Sequence, residues 1–190
     1  MNEILSDAKK IIHNAIQTSL PDEAVKKFIG GQTFAFEGRV IVIAIGKAAW
    51  NMAKAAAENI PHRIDTGIVL TKYDHAKGEI PGFTILEAGH PLPDENTILG
   101  TQKIMDAVSG LTEKDTVFFL VSGGGSALFE CPAGKLTLAD FLDITDQLLK
   151  CGADIVEINT IRKHLSAVKG GKFAKLCAPA QVYCLALSDI

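Results

Sequence analysis

A run of three glycines flanked by serines, Ser122-Gly123-Gly124-Gly125-Ser126, directly follows an apolar segment that ends at Val121. Consecutive residues without a Cβ leave their backbone N–H groups free to converge on an anion. The hydroxyl groups of Ser122 and Ser126 add donors beside them. The run therefore predicts a turn that binds phosphate or carboxylate, and the alternative is a packed or flexible turn without a ligand. It matches neither a Walker A loop nor a GxGxxG fingerprint.

Lys47 has a similar position, because it follows the apolar segment Arg39–Ile45 and Gly46. The Ala-rich stretch after it predicts a helix that begins at Lys47. A lysine at that position opposes the positive end of the helix dipole, which costs about a few tenths of a kcal/mol unless an anion lies nearby. Lys47 is therefore a candidate anion ligand. The alternative is a solvated lysine or one paired with a neighbouring carboxylate.

A third candidate site is basic and lies between positions 162 and 172. Five basic side chains and two glycines share this segment: Arg162, Lys163, His164, Lys169, Gly170, Gly171 and Lys172. In a chain of net charge −3, this density predicts a local positive site. Arginine is well suited to a bidentate grip on carboxylate or phosphate. A solvated helix face is the alternative.

The histidines are weaker candidates for functional residues than the three segments above. His90 lies in the loop Gly89–Asp94, and the sequence does not decide whether it titrates in a site or makes a local hydrogen bond. His13, His62 and His75 have no partner at metal-ligand spacing, and the chain has no GxSxG elbow. The sequence therefore does not support a zinc site or a serine hydrolase.

Composition excludes several classes of protein. The chain has 190 residues, of which 47% are apolar and 22% charged, which are ordinary values for a globular domain. Neither charge sign forms a long run, so a nucleic-acid interface is not supported. The apolar segments are far shorter than the ~20 residues of a membrane span, and no secretory segment opens the chain. Four cysteines without CxxC spacing indicate reduced thiols, so we expect a cytoplasmic protein.

Hydrophobic periodicity predicts alternating helices and strands after a helical start. Helices are predicted at 3–19, 21–28, 47–59, 93–110, 137–150, 154–166 and shortly after 171, and strands at 39–45, 64–71, 83–87, 115–121 and 181–187. Thr137 and Asp140 have the spacing of a capping box.

This alternation predicts parallel βαβ units with helices on both sheet faces. The fold class is therefore α/β, a three-layer sandwich with a mostly parallel, Rossmann-like sheet and an amino-terminal helical extension. Ligands of open α/β sheets bind at the carboxyl ends of the strands. We therefore expect Lys47, the glycine turn and the segment Arg162–Lys172 to converge on one cleft.

Five segments together resemble the amino-terminal region of the type-2 glycerate kinases, the MOFRL family. They occur in order across essentially the whole chain, at 45–48, 87–96, 120–128, 159–172 and 187–189. The resemblance implies an ATP-dependent glycerate 2-kinase that makes 2-phosphoglycerate from D-glycerate, with ATP and Mg as cofactors.

The resemblance also implies roles for the candidate residues. Ser122–Ser126 would hold a phosphate, and Lys47 would neutralise the transferring group or the glycerate carboxylate. The segment Arg162–Lys172 would hold the remaining anionic oxygens, with His90 nearby. Asp189 is a candidate catalytic residue or magnesium ligand. Which residue is the general base stays open.

The resemblance further implies that residues 1–190 are a truncated amino-terminal glycerate kinase domain without the carboxyl-terminal MOFRL domain. We therefore expect the isolated chain to be inactive. One alternative is a hydroxypyruvate reductase, although the chain lacks a dinucleotide fingerprint. Another alternative is a non-catalytic module that binds a sugar phosphate or another anion. The oligomeric state is not determined by the sequence, and a homo-oligomer stays open.

Overall fold

Five parallel strands form the central sheet of the computed structural model, which describes residues 2–187. The strands are β1 Val40–Ile45, β2 Thr66–Lys72, β3 Phe83–Ala88, β4 Thr116–Val121 and β5 Gln181–Ala186. The helices are α1 Asn2–Thr18, α2 Pro21–Gly30, α3 Ala49–Asn59, α4 Glu95–Ala107, α5 Gly125–Leu128, α6 Leu138–Lys150, α7 Ile155–Leu165 and α8 Lys172–Cys177. No helix of the described chain is both long and apolar enough to cross a membrane.

The central strand β1 consists of Val, Ile and Ala alone, and all six of its residues are buried. Such a continuous apolar run is typical of a parallel strand that is covered on both faces. Alternate residues of β1 point to opposite faces. Val42 packs on the face that carries α2 and α3, whereas Ile43 packs on the face that carries α4 and the segment around Phe173. The predicted three-layer α/β sandwich with an amino-terminal helical extension is confirmed.

The strand order in the sheet is β3-β2-β1-β4-β5. The chain builds outward from β1 in one direction and then crosses over to add β4 and β5 on the other side. β1 and β4 therefore flank the point at which the topology switches direction. In open α/β sheets the ligand crevice lies at the carboxyl ends of the strands at such a point.

The predicted elements are all present, with one boundary that matters for the site. The predicted helix at 47–59 begins instead at Ala49, with Ala48 as its N-cap residue. Lys47 therefore lies before the helix, and the expectation that it opposes the helix dipole at the first position was wrong. The capping box of α6 is confirmed, because Thr137 Oγ1 accepts from Asp140 N at 3.1 Å and Asp140 Oδ2 accepts from Thr137 N at 2.8 Å.

A buried carboxylate joins the amino-terminal ends of β1 and β4. Asp115 is 4% exposed and accepts hydrogen bonds from Arg39 N at 2.7 Å and from Thr112 N at 2.6 Å. The hydrogen bond from Thr112 lowers the pKa of Asp115, and Arg39 lowers it further. This contribution to stability is present above the ordinary pKa of an aspartate and is lost as the pH falls through the lowered pKa of the folded state.

Replacing Asp115 with asparagine tests this role. We expect Asp115→Asn to lower the free energy of unfolding at pH 7 by about 1–3 kcal/mol, because buried donors lose a charged acceptor. The difference from wild type should shrink as the pH falls from the ordinary pKa of an aspartate to the lowered pKa of the folded state. Urea denaturation at several pH values measures both effects. The control is Asp106→Asn, an exposed residue whose carboxylate accepts only from Gln102 within residues 2–187; equal losses in the two variants would contradict the prediction.

Candidate functional site

Two turns meet at the carboxyl ends of β1 and β4, and Ser122 fastens them together. Ser122 N donates to Ile45 O at 2.9 Å, and its hydroxyl donates to the same oxygen at 3.0 Å. The hydroxyl oxygen accepts from Ala48 N at 3.0 Å. Lys47 N donates to Gly123 O at 2.8 Å. The Ser122 hydroxyl, which we expected at the rim of the anion site, is therefore buried and used within the protein.

Gly46 makes this close approach possible. Its φ of +108° is in the region that favours glycine, and a Cβ there would lie 2.4 Å from Ser122 Oγ. Any other residue at position 46 would push the two turns apart.

The glycine turn keeps several backbone donors available. Gly125 N donates to Ser122 O at 3.1 Å. Within residues 2–187, in contrast, the N–H groups of Gly123, Gly124 and Ser126 have no hydrogen-bond acceptor. Three unpaired N–H groups within four residues form a site that can bind an anionic oxygen.

Lys47 and His90 lie on one side of this turn, next to Gly124. A Cβ at Gly124 would lie 2.7 Å from His90 Nε2 and 3.4 Å from Lys47 Cε, so only glycine fits between them. Lys47 is exposed, and its ammonium group makes no hydrogen bond or ion pair within the described chain. The ammonium is therefore available to an anion bound at the turn.

Further basic groups surround His90. Burial lowers the pKa of His90 below its usual value, and the positive charge of Lys47 lowers it more. Lys72 and His75 act in the same direction. His75 is fixed by a contact of 3.0 Å between its Nδ1 and Lys47 O. His90 is consequently neutral near pH 7 in a positively charged environment.

Lys72 and His75 were missed by the sequence analysis. Lys72 is the last residue of β2 and His75 follows it, and the carboxyl end of β2 lies beside β1 in the sheet. The sequence shows that they follow a strand, but it does not show which strand is the neighbour of β1.

The basic cluster lies on the opposite side of the glycine turn. Gly125 and Ser126 line a cavity of about 410 Å³ together with Arg162, Lys163 and Lys169. The Arg162 guanidinium lies over the ring of Phe141, 5.5 Å from its centre. Arg162 Nε is buried and has no hydrogen-bond partner in the described part of the chain. Because Arg162 also lines the cavity, it is a candidate ligand-binding residue.

Two lysines of the basic cluster, Lys169 and Lys172, already bind oxygen atoms of the protein. Lys169 forms an ion pair with the fully buried Glu130 and donates to Phe129 O at 2.9 Å. Burial lowers the pKa of Lys169, although Glu130 opposes this shift. The Lys172 ammonium donates to Ser166 O at 2.5 Å and to two further carbonyls at the end of α7.

Gly170 and Gly171 form the turn between α7 and α8, with φ of +65° and +85°. Gly170 also lines the cavity. The structure therefore brings the predicted residues to two sides of one turn. Lys47 does not line the cavity that holds Arg162 and Lys163. Asp189 lies outside the described residues.

No three His, Cys, Asp or Glu side chains cluster as a metal site between residues 2 and 187.

A family model described as "Domain of unknown function (DUF4147)" matches residues 7–190. The chain belongs to this family. The DUF4147 chain is 51% identical over 183 residues to the D-glycerate 2-kinase of Thermotoga maritima, and the match covers 96% of this chain and 43% of that protein. The predicted resemblance to the amino-terminal region of glycerate 2-kinases is confirmed.

Two further comparisons extend this result. A crystal structure of glycerate kinase from T. maritima superposes with a TM-score of 0.92 at 49% identity, over 100% of this chain and 45% of that one. A protein of Agrobacterium vitis named as a hydroxypyruvate reductase is 46% identical over 155 residues, which is 80% of this chain and 35% of that protein. The DUF4147 chain thus spans less than half the length of these relatives.

The position of His90 gives a testable pH dependence. We expect the His90 imidazole to titrate below its ordinary pKa of about 6.5. Lys47→Ala should raise this pKa by removing a neighbouring positive charge, and added phosphate should raise it by supplying a negative one. An NMR titration of the histidine Cε1 protons measures both shifts. Lys103→Ala, which removes an exposed lysine of α4, is the control; an unchanged His90 pKa in Lys47→Ala would contradict the assignment.

Proposed function

We propose that this chain is the amino-terminal part of a glycerate 2-kinase, which transfers a phosphoryl group from ATP to D-glycerate and forms 2-phosphoglycerate. The observation that carries the proposal is the glycine turn, in which the N–H groups of Gly123, Gly124 and Ser126 have no acceptor within residues 2–187. Lys47 lies beside this turn at Gly124, and Arg162 and Lys163 line the cavity that Ser126 also lines. The similarity to the D-glycerate 2-kinase of T. maritima supports it.

Phosphoryl transfer depends mostly on positioning and on stabilising negative charge. In this proposal the N–H groups of Gly123, Gly124 and Ser126 bind phosphate oxygens. Lys47 neutralises charge on the transferred phosphoryl group or on the glycerate carboxylate. Arg162 supplies a planar guanidinium that can grip a phosphate, and Lys163 adds a second positive charge.

Neutral His90 can accept a hydrogen bond from the hydroxyl of bound glycerate, because its ring nitrogen lies beside the turn and burial disfavours its charged form. Lys169, Lys172, Gly170 and Gly171 support the site indirectly, since they fix the segment that carries Arg162 and Lys163. A magnesium ion would neutralise phosphate charge when bound. Asp189 is the residue that we propose for it, from the family resemblance alone.

A hydroxypyruvate reductase is the second candidate function, favoured by the name of the A. vitis relative. Against it, the turn after β1 has a single glycine, Gly46, rather than the three of a dinucleotide fingerprint. NADH oxidation in the presence of hydroxypyruvate tests this activity directly. A non-catalytic anion-binding module would bind phosphate but would give no turnover in either assay.

We also propose a cytoplasmic location, in line with the four cysteines, which are all free thiols.

Because the chain spans less than half the length of its relatives, we propose that turnover requires the remaining part of such an enzyme. The isolated 190-residue chain should fold and bind phosphate in the millimolar range without making 2-phosphoglycerate. Turnover by the isolated chain would contradict this proposal.

The role of Lys47 can be tested in the complete enzyme. We expect Lys47→Ala to lower kcat/KM by at least about 100-fold, or about 2.7 kcal/mol of transition-state stabilisation. The Tm should change little, because Lys47 is exposed and its ammonium has no partner in the described chain. Coupled measurement of ADP formation gives the rates. Lys103→Ala is the matched control, and a loss of activity that follows a loss of Tm would indicate a structural role instead.

Gly123 tests the glycine turn separately. A Cβ at Gly123 has no atom within 4 Å and its φ is not positive, so Gly123→Ala should fold normally. Its methyl group would nevertheless hinder a phosphate at the neighbouring N–H groups. We expect phosphate affinity to fall at least about 10-fold, or about 1.4 kcal/mol. Gly30→Ala, which also has open space, is the control; unchanged phosphate binding by Gly123→Ala would contradict the proposed phosphate site.

A further inference from the structure

We propose that the cavity on the Arg162 side of the glycine turn binds the nucleobase of ATP, and that glycerate binds on the opposite side, next to Lys47 and His90. This inference rests on the proposed kinase function and assigns the two substrates to separate sides of the turn. It follows from the difference in chemistry between those two sides.

The wall of the cavity is apolar and aromatic. Phe119, Phe129 and Phe173 line it and form one cluster. The ring centres of Phe119 and Phe173 are 4.8 Å apart, and those of Phe129 and Phe173 are 5.0 Å apart in an edge-to-face arrangement. Ile45 and Val168 complete the apolar wall. A flat aromatic base can bury its faces against such a surface.

The rim of the same cavity is polar and close to the turn. Asn159 and Arg162 extend from α7, and Ser126 lies at the end of the glycine turn. The Asn159 amide can both donate to and accept from the edge of a base. The guanidinium of Arg162, which lines the cavity, and the N–H of Ser126, which has no acceptor within residues 2–187, can hold the phosphates that follow the ribose. The cavity volume of about 410 Å³ is within the usual range for small-molecule sites.

Glycerate does not match this cavity. It is a small acid with a carboxylate and two hydroxyl groups, so although Arg162 and Lys163 could bind its carboxylate, it has no apolar group to cover the phenylalanine wall. The side of the turn at Lys47 is different, since Lys47 and Lys72 supply positive charge there and the imidazoles of His75 and His90 supply hydrogen-bonding nitrogens. Gly124 adjoins Lys47 and His90, and the next residue, Gly125, lines the cavity, so a terminal phosphate held at the turn would lie beside both.

Adenosine tests the cavity without any contribution from phosphate. With the 190-residue chain, we expect intermolecular NOEs from the adenosine base protons to the rings of Phe129 and Phe173. Glycerate should instead shift amide signals around Lys47, His75 and His90. Adenosine NOEs or shifts at the Lys47 side, or the absence of any adenosine effect at the cavity, would overturn the assignment.

A substitution that fills the cavity gives a second test in the complete enzyme. Asn159 is exposed on α7, so Asn159→Trp should fold while its indole occupies the space proposed for the base. We expect the KM for ATP to rise at least about 10-fold with little change in the KM for glycerate. Asn14→Trp, on the exposed helix α1, is the matched control.

The outcomes separate this inference from the proposed function. If the wild-type enzyme shows no ATP-dependent phosphorylation of glycerate, the proposed function fails. If it does, but Asn159→Trp raises the KM for glycerate instead or leaves both KM values unchanged, the kinase function stands and the nucleobase assignment is wrong. An unchanged Tm for Asn159→Trp shows that the effect is not caused by unfolding.

Discussion

The junction between the turns after β1 and β4 is the constraint on which the candidate site depends. Ser122 bonds Ile45 O through both its amide and its hydroxyl, while its hydroxyl oxygen holds Ala48 N. This contact is possible only because Gly46 has no side chain. With the strand ends fixed in this way, the following residues cannot collapse onto each other. The N–H groups of Gly123, Gly124 and Ser126 have no acceptor within residues 2–187, so a ligand rather than the protein can satisfy them.

The cations near the glycine turn fall into two groups, those that bind groups of the protein and those that do not. Lys169 neutralises Glu130, which would otherwise be a buried unpaired carboxylate, and the Lys172 ammonium satisfies carbonyls at the end of α7. These contacts hold α7 beside the glycine turn. Arg162 and Lys47, in contrast, have no anionic partner in the described chain. Lys163 has no ion pair within residues 2–187 either, so cations remain available on both sides of the turn.

Much of this arrangement was predictable from the sequence, for identifiable reasons. The continuous apolar residues of β1 and the spacing of Thr137 and Asp140 are local signals, and both predicted their elements correctly. The positions of Lys72 and His75 were not predictable, because they depend on β2 lying next to β1. The ion pair of Lys169 was likewise not predictable, because its partner Glu130 is 39 residues away in the sequence. Local patterns identify candidate ligands, whereas tertiary contacts decide which of them are available.

The two sides of the glycine turn differ in polarity because they are built from different parts of the fold. The cavity side is bounded by β4, α7 and the segment around Phe173. Its wall is therefore formed by apolar residues that also belong to the core on that face of the sheet. The Lys47 side is bounded by loops that follow β1, β2 and β3, whose residues are outside the core and carry charge. A reaction between a nucleotide and a small acid requires this asymmetry, since one reactant has a large apolar group and the other has none. The phosphate is the only group that both sides must accommodate, and the backbone donors that would bind it lie between them.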